Sequence, residues 1–180
     1  MNFPEKSIQL STGTHAYTEI GDAAETLLLL HGFAFRVGMY PLAQQLSSQF
    51  RLIIPDLPFS VKNDAFVQHN LPGYADFLLE FVRTLNLDLV SIFGNSLGGT
   101  LALMCARIAP DLFKRLVIRS PLWSVAQLPW YLRIKPLNRL HLSLSKNRSY
   151  AIWALERFYQ ASARLSAVDK YAGDSIVPYQ

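Results

Sequence analysis

Cys105 is the only cysteine in 180 residues, so no disulfide can close within the chain and no cysteine-rich metal site can form. Long apolar runs are missing too. The longest uninterrupted aliphatic stretch is Leu27–Leu30, whereas a membrane-spanning helix needs about 20 apolar residues. The N-terminus, Met1-Asn2-Phe3-Pro4-Glu5-Lys6, has no basic flank followed by an apolar segment. No secretory signal is therefore expected, and a cytoplasmic location is the default. Acidic residues are absent between Asp111 and Glu156, where eight Lys or Arg residues stand. Through Asp111 there are six basic and ten acidic residues; beyond it there are eleven and three. The net charge of +4 thus hides an acidic front and a basic rear. Such a shift marks a change of module. The basic stretch reads either as a solvated helical face or as a surface for anionic substrates or phospholipid headgroups.

What remains is a chain rich in core-forming residues, 51% hydrophobic and 17% charged, long enough for one domain with a proper interior. Residues 7–12 and 15–20 read as short strands around Gly13, an opening hairpin. The run 26–30 is continuously apolar, as a strand buried on both faces should be. Residues 41–50 carry Leu42, Leu46 and Phe50 at spacings of four, an amphipathic helix with Pro41 in its first turn. Arg51-Leu-Ile-Ile-Pro55 supplies another strand. Phe77, Leu78, Phe81, Val82 and Leu85 form a 3.6-period stripe within a helix over 74–85. Residues 88–93 give a strand, 96–108 an apolar helix ended by Ala109-Pro110, and 114–119 one more strand. Strand and helix alternate from Thr26 onward, which calls for a mostly parallel sheet with helices on both faces. After Pro121 the pattern changes to Leu-, Trp- and Arg-rich helical segments, with a clearer helix over 150–165.

The chemistry centres on Gly94-Asn95-Ser96-Leu97-Gly98-Gly99. A nucleophilic serine must stand at the tip of a strand, clear of neighbouring side chains, with backbone N–H groups beside it. A sharp strand-to-helix turn does this and forces the serine into a strained conformation. Gly94 and Gly98 flank it where a Cβ would collide with a neighbouring element. The following helix points its positive end at the site, which favours a developing negative charge. The motif alone is weak. Its context, an apolar strand before and an apolar helix after, makes Ser96 the expected nucleophile. Cys105, inside that helix, reads as a packed small hydrophobe. Asp56, at the end of its strand, either helps the site or caps a loop.

Leu29-Leu30-His31-Gly32-Phe33, Ile54-Pro55-Asp56-Leu57-Pro58 and Gly94-Asn95-Ser96-Leu97-Gly98-Gly99 resemble, in order and spacing, the α/β-hydrolase superfamily. They are most similar to its single-domain members with a helical lid. The resemblance covers residues 7–120. It implies an α/β-hydrolase fold in three parts: 1–120 as the front of the core, 121–167 as the lid, and 168–180 as the start of a further core segment. It also implies that the N–H groups of Phe33 and Leu97 form the oxyanion hole. His31 and Gly32, with Gly94 and Gly98, then shape the site, and His31 orders its loop without transferring protons. Asn95 occurs in both carbon–carbon bond hydrolases and esterases of the superfamily, so it leaves the substrate open. The loop Asp56-Leu57-Pro58-Phe59-Ser60 departs from the family's Asp-x-Pro-Gly-x-Gly by losing both glycines.

In such proteins the triad runs Ser, then Asp or Glu, then His. After Ser96 the only histidine is His141, within the expected lid, and it reads as a lid or surface residue. Asp174, in Asp174-Ser-Ile-Val-Pro178, is a weak candidate for the acid. The expectation is therefore a C-terminally truncated serine hydrolase of small apolar esters or related acyl substrates. The alternative is a catalytically impaired or vestigial binding protein lacking the triad histidine. No metal, organic cofactor or nucleic-acid partner is implied. Trp123, Trp130 and Tyr131 read as lid core or lid face, lining an acyl pocket or touching a membrane surface. Peripheral membrane contact of the basic lid stays open, as does the oligomeric state.

Overall fold

The computed structural model describes residues 3–32, 36–59, 70–124, 130–145, 150 and 153. The chain divides into two units, residues 1–127 and 128–180. Within the first, six strands form one sheet in the order β1-β2-β4-β3-β5-β6. They are β1 (Glu5–Leu10), β2 (Gly13–Ile20), β3 (Thr26–Leu30), β4 (Arg51–Pro55), β5 (Val90–Asn95) and β6 (Phe113–Arg119). β1 and β2 form the expected antiparallel hairpin, and β2 pairs antiparallel with β4. β4, β3, β5 and β6 run parallel. The fold is thus a mostly parallel α/β sheet with flanking helices, as the alternation of strands and helices calls for.

The leucine run of β3 shows why a central parallel strand is apolar throughout. Leu28 and Leu30 join one core cluster, and Leu27 and Leu29 the other. β4 does the same, with Ile53 on the first side and Leu52 and Ile54 on the second. Side chains alternate across a strand, so covering both faces demands apolar residues at every position. Helices α2 (Leu71–Thr84) and α3 (Leu97–Ile108) supply the first cluster with Phe77, Phe81, Leu101 and Ala102. Helix α1 (Tyr40–Leu46) covers the second through Ala43.

Element boundaries differ from the expected ones for local reasons. α2 starts at Leu71, three residues before the stripe suggests, because Asn70 caps it. The Asn70 side chain accepts from the Gly73 amide at 2.8 Å, and Pro72 sits in the first turn, where its missing N–H costs nothing. α1 ends at Leu46, short of Phe50, and a 3-10 turn over Arg36–Met39 precedes it. β5 runs on through Gly94 to Asn95, since Gly94 and Asn95 still pair with Ile118 and Arg119 of β6.

In the second unit, α4 spans Trp130–Arg133 and α5 spans Lys135–Ser145. Tyr150 and Trp153 are helical, and their rings lie 5.5 Å apart. The rest of the helix expected over 150–165, the segment 168–180 and Asp174 fall outside the described residues. No helix among the described residues is long and apolar enough to cross a membrane.

Candidate active site

The strand order places the site. From β3 the chain moves outward to β4, then crosses back over β3 to β5. The carboxyl ends of β3 and β5 therefore flank the point where connections diverge, the crevice where open α/β sheets bind ligands. Leu30 pairs with Gly94 across it. The two sequence signals, Leu30-His31-Gly32 and Gly94-Asn95-Ser96, are thus the neighbouring ends of adjacent parallel strands.

Ser96 sits at the turn from β5 to α3 with φ 55° and ψ −122°. A serine held there carries strain of about 1–3 kcal/mol, which persists only where the surroundings over-determine it. The surroundings do so here. The Ser96 amide donates to the Arg119 carbonyl at 2.9 Å. Its carbonyl accepts from the amides of Gly99 (2.9 Å), Thr100 (3.1 Å) and Leu122 (3.3 Å). The Thr100 hydroxyl, which sequence reasoning missed, donates to the Leu122 carbonyl at 2.7 Å. Residues just after β6 are therefore stitched onto the turn, and the serine side chain is left partly exposed.

Three glycines let these elements close. A Cβ on Gly94 would lie 2.7 Å from the Gly99 Cα and 2.8 Å from the Gly98 carbonyl oxygen. One on Gly98 would lie 2.5 Å from the Leu30 carbonyl oxygen and nearer still to that of His31. A Cβ on Gly32 would stand 3.0 Å from the Ser96 Cβ and 3.3 Å from the Asn95 amide nitrogen. So the start of α3 presses on the end of β3, and the Gly32 backbone lies directly against Ser96. The sequence-predicted residues Ser96, Gly32, Gly94, Leu97 and Gly98 are brought together. Leu97, the first residue of α3, has an amide with no acceptor inside its own helix. No acidic residue stands in that first turn to offset its positive end. Phe33 falls outside the described residues.

His31 is 1% exposed. Its Nδ1 lies 2.6 Å from the Gly32 carbonyl oxygen, and its Nε2 lies 3.2 Å from the Leu57 amide. A carbonyl only accepts and an amide only donates, so Nδ1 carries the proton and Nε2 offers its lone pair. Both nitrogens are committed to loop backbone. Burial, only partly opposed by the Gly32 hydrogen bond, pushes its pKa down to about 4. The ring is neutral at pH 7 and ties the β3 loop to the β4 loop. Cys105 is wholly buried, and burial raises its thiol to about 12. It behaves as a packed side chain.

Asp56 pairs with a residue that sequence reasoning passed over. Arg36, buried in the turn before α1, places Nη1 3.0 Å from the Asp56 carboxylate and also pairs with Glu5. Nη1 lies close to Asp56 yet makes no well-aligned hydrogen bond, so the pair is ionic in character. Arg36 is the only charged residue between Glu25 and Arg51, and that isolation was the available signal. Among the described residues no His, Cys, Asp or Glu cluster could hold a metal ion.

A sequence model of the alpha/beta hydrolase fold matches residues 25–162. The chain belongs to this family. It is 31% identical over 122 residues to (E)-2-((N-methylformamido)methylene)succinate hydrolase of Acinetobacter baylyi, covering 66% of this chain and 46% of that one. A putative lipase from Acinetobacter baumannii superposes with a TM-score of 0.61 at 27% identity, over 76% of this chain and 48% of that one. Naproxen esterase from Bacillus subtilis superposes with a TM-score of 0.60 at 25% identity, over 67% and 44%. The chain thus spans less than half the length of each of these three relatives.

Proposed function

We propose that this family member is built for serine-based hydrolysis, with Ser96 as nucleophile and small apolar esters or related acyl compounds as substrates. The reading rests on the conformation of Ser96, φ 55° and ψ −122°, held beside the backbone of Gly32 at the switch point of the sheet. The Leu97 amide, joined by that of Phe33, stabilises the tetrahedral oxyanion. The serine attacks the acyl carbon, the alcohol leaves, and water then releases the acid from the acyl-enzyme. Gly94, Gly98 and Gly32 permit the close approach, and His31 fixes the loop as a neutral ring. In this reading residues 121–167 take the role of the family's lid segment. The esterase among its structural neighbours supports the ester class.

A second reading, a binding protein that keeps the turn without turnover, is favoured by one observation. Neither histidine whose side chain the structure describes is available as a base: His31 has both ring nitrogens occupied, and His15 bonds Thr12 through Nε2 at 2.8 Å in β2, away from the switch point. Without a base a serine stays a neutral alcohol at pH 7, keeping about 10³-fold acceleration from the oxyanion hole and binding.

Prolonged incubation of the purified chain with a fluorophosphonate, followed by intact-mass and peptide analysis, tests the first reading. The expected result is one slow adduct, located at Ser96 and lost in Ser96→Ala, with marginal turnover of p-nitrophenyl butyrate. An adduct spread over other hydroxyls, with Ser96 unmodified, would overturn the assignment. Rapid stoichiometric labelling at Ser96 would overturn the second reading, because some histidine must then act as base.

A further inference from the structure

The second unit shows a helix whose apolar side faces solvent. In α5, Leu137, Leu140 and Leu144 stand three and four residues apart, which puts them on one face. They are 36%, 55% and 41% exposed. Trp130 of α4 is 65% exposed, and Ile134, between the two helices, is 44% exposed. A surface helix of a globular domain turns such a stripe inward, and contiguous exposed apolar area marks an interaction surface.

Charge narrows the kind of partner. From Leu128 to Leu155 the sequence carries five basic residues, Arg133, Lys135, Arg139, Lys146 and Arg148, and no acidic one. Arg133 and Arg139 are exposed, and Arg139 lies about 200° round the helix from Leu137 at 3.6 residues per turn. An aliphatic stripe, an indole at one end and a basic residue, Arg139, on the side away from the stripe are the composition of a helix lying in a lipid interface. There the leucines enter the acyl boundary, the indole sits at headgroup depth, and the arginines meet anionic headgroups. A protein groove would need shaped anchors and opposing acidic pairs. A bilayer needs only this separation of apolar and basic sides.

We propose that α4–α5 docks on the surface of an anionic phospholipid membrane, with Trp130, Leu137, Leu140 and Leu144 as the inserting face. This does not depend on the reading of Ser96, because no residue of the switch-point site takes part.

Co-sedimentation of the full 180-residue chain with vesicles tests it, comparing pure phosphatidylcholine with the same lipid containing phosphatidylglycerol. We expect about tenfold tighter binding to the anionic vesicles, falling several-fold in high salt. Leu137→Asp/Leu140→Asp should abolish binding to both. Arg133→Gln/Arg139→Gln should remove only the anionic preference. Arg107→Gln, an exposed arginine of the first unit, should change nothing. A form keeping Trp130 as the only tryptophan (Trp123→Phe/Trp153→Phe) should show a blue-shifted emission with anionic vesicles. That readout holds even if the double-aspartate variant fails to fold. Equal binding to both vesicle types would overturn the proposal, as would an unshifted Trp130 emission. A concentration-dependent dimer lost in the leucine variant, with no vesicle binding, would assign the face to a second copy instead.

Discussion

Strand β3 and helix α5 are both rich in leucine, and their leucines meet opposite surroundings. Leu28, Leu29 and Leu30 are wholly buried, whereas Leu137, Leu140 and Leu144 lie between 36% and 55% exposed. The β3 run is sandwiched because consecutive side chains alternate and each face is covered by a helix. The α5 stripe projects to one side at helical spacing, and among the described residues it stays largely exposed. Leucine content therefore says how much apolar surface an element presents. Periodicity says in which direction, and neither says what meets it.

The sharpest break of this comparison comes from the glycine that seats α3 on β3. In an ordinary helix, alanine in place of glycine stabilises by about 1 kcal/mol. Gly98→Ala should instead destabilise by about 4 kcal/mol, because both obstacles to its Cβ are backbone carbonyls that cannot rotate away. It should also abolish labelling at Ser96. Gly38→Ala, where a Cβ meets nothing within 4 Å, should be neutral or slightly stabilising. Urea unfolding of the two variants decides this, and similar midpoints would mean that the seat of α3 is loose.

Next in size is the contrast between leucines. Leu101→Ala, in the wholly buried part of α3, should cost about 3 kcal/mol by leaving a cavity. Leu140→Ala should stay within about 0.5 kcal/mol. A Leu140 penalty above 1.5 kcal/mol, on the same rough scale, would show that α5 is covered after all.

Smallest over the range tested is a pH dependence that belongs to the sheet unit, about 2 kcal/mol between pH 7 and pH 5. With a folded pKa of about 4 against an ordinary 6.5, His31 is neutral in both states above pH 6.5, so its protonation has no effect there. As pH falls from 6.5 toward 4, the unfolded chain takes up a proton that the folded chain refuses. Stability then drops by about 1.4 kcal/mol per pH unit and levels off below 4. His15, lowered chiefly by burial, acts in the same direction. Urea unfolding at pH 7, 6 and 5, before carboxylates titrate, should show this slope, and His31→Gln should flatten most of it. Equal stability at pH 7 and pH 5 would mean that His31 titrates normally.

Much of this was legible in the residues. The alternation of strands and helices from Thr26 to Arg119 gave the sheet, because a central strand needs an unbroken apolar run and a covering helix needs a 3.6-residue stripe. The turn at Ser96 was legible because its glycines are required locally. The early start of α2 was readable in principle from Asn70 and Pro72, a capping signal outweighed by the stripe that follows. Arg36 was not found, since an isolated arginine in an apolar segment gives no hint of which carboxylate will neutralise it.

The sequence by itself determined where strands and helices form and where the chain must turn sharply, since those depend on neighbours within a few residues. Only the tertiary structure decided that Gly32 lies against Ser96, that His31 spends both nitrogens on the loops of β3 and β4, and that Arg36 meets Asp56 and Glu5. Apart from the bond between His31 and its neighbour Gly32, each of these joins residues 20 or more positions apart. The sheet order β4-β3-β5 brings them together, and no local pattern encodes that order.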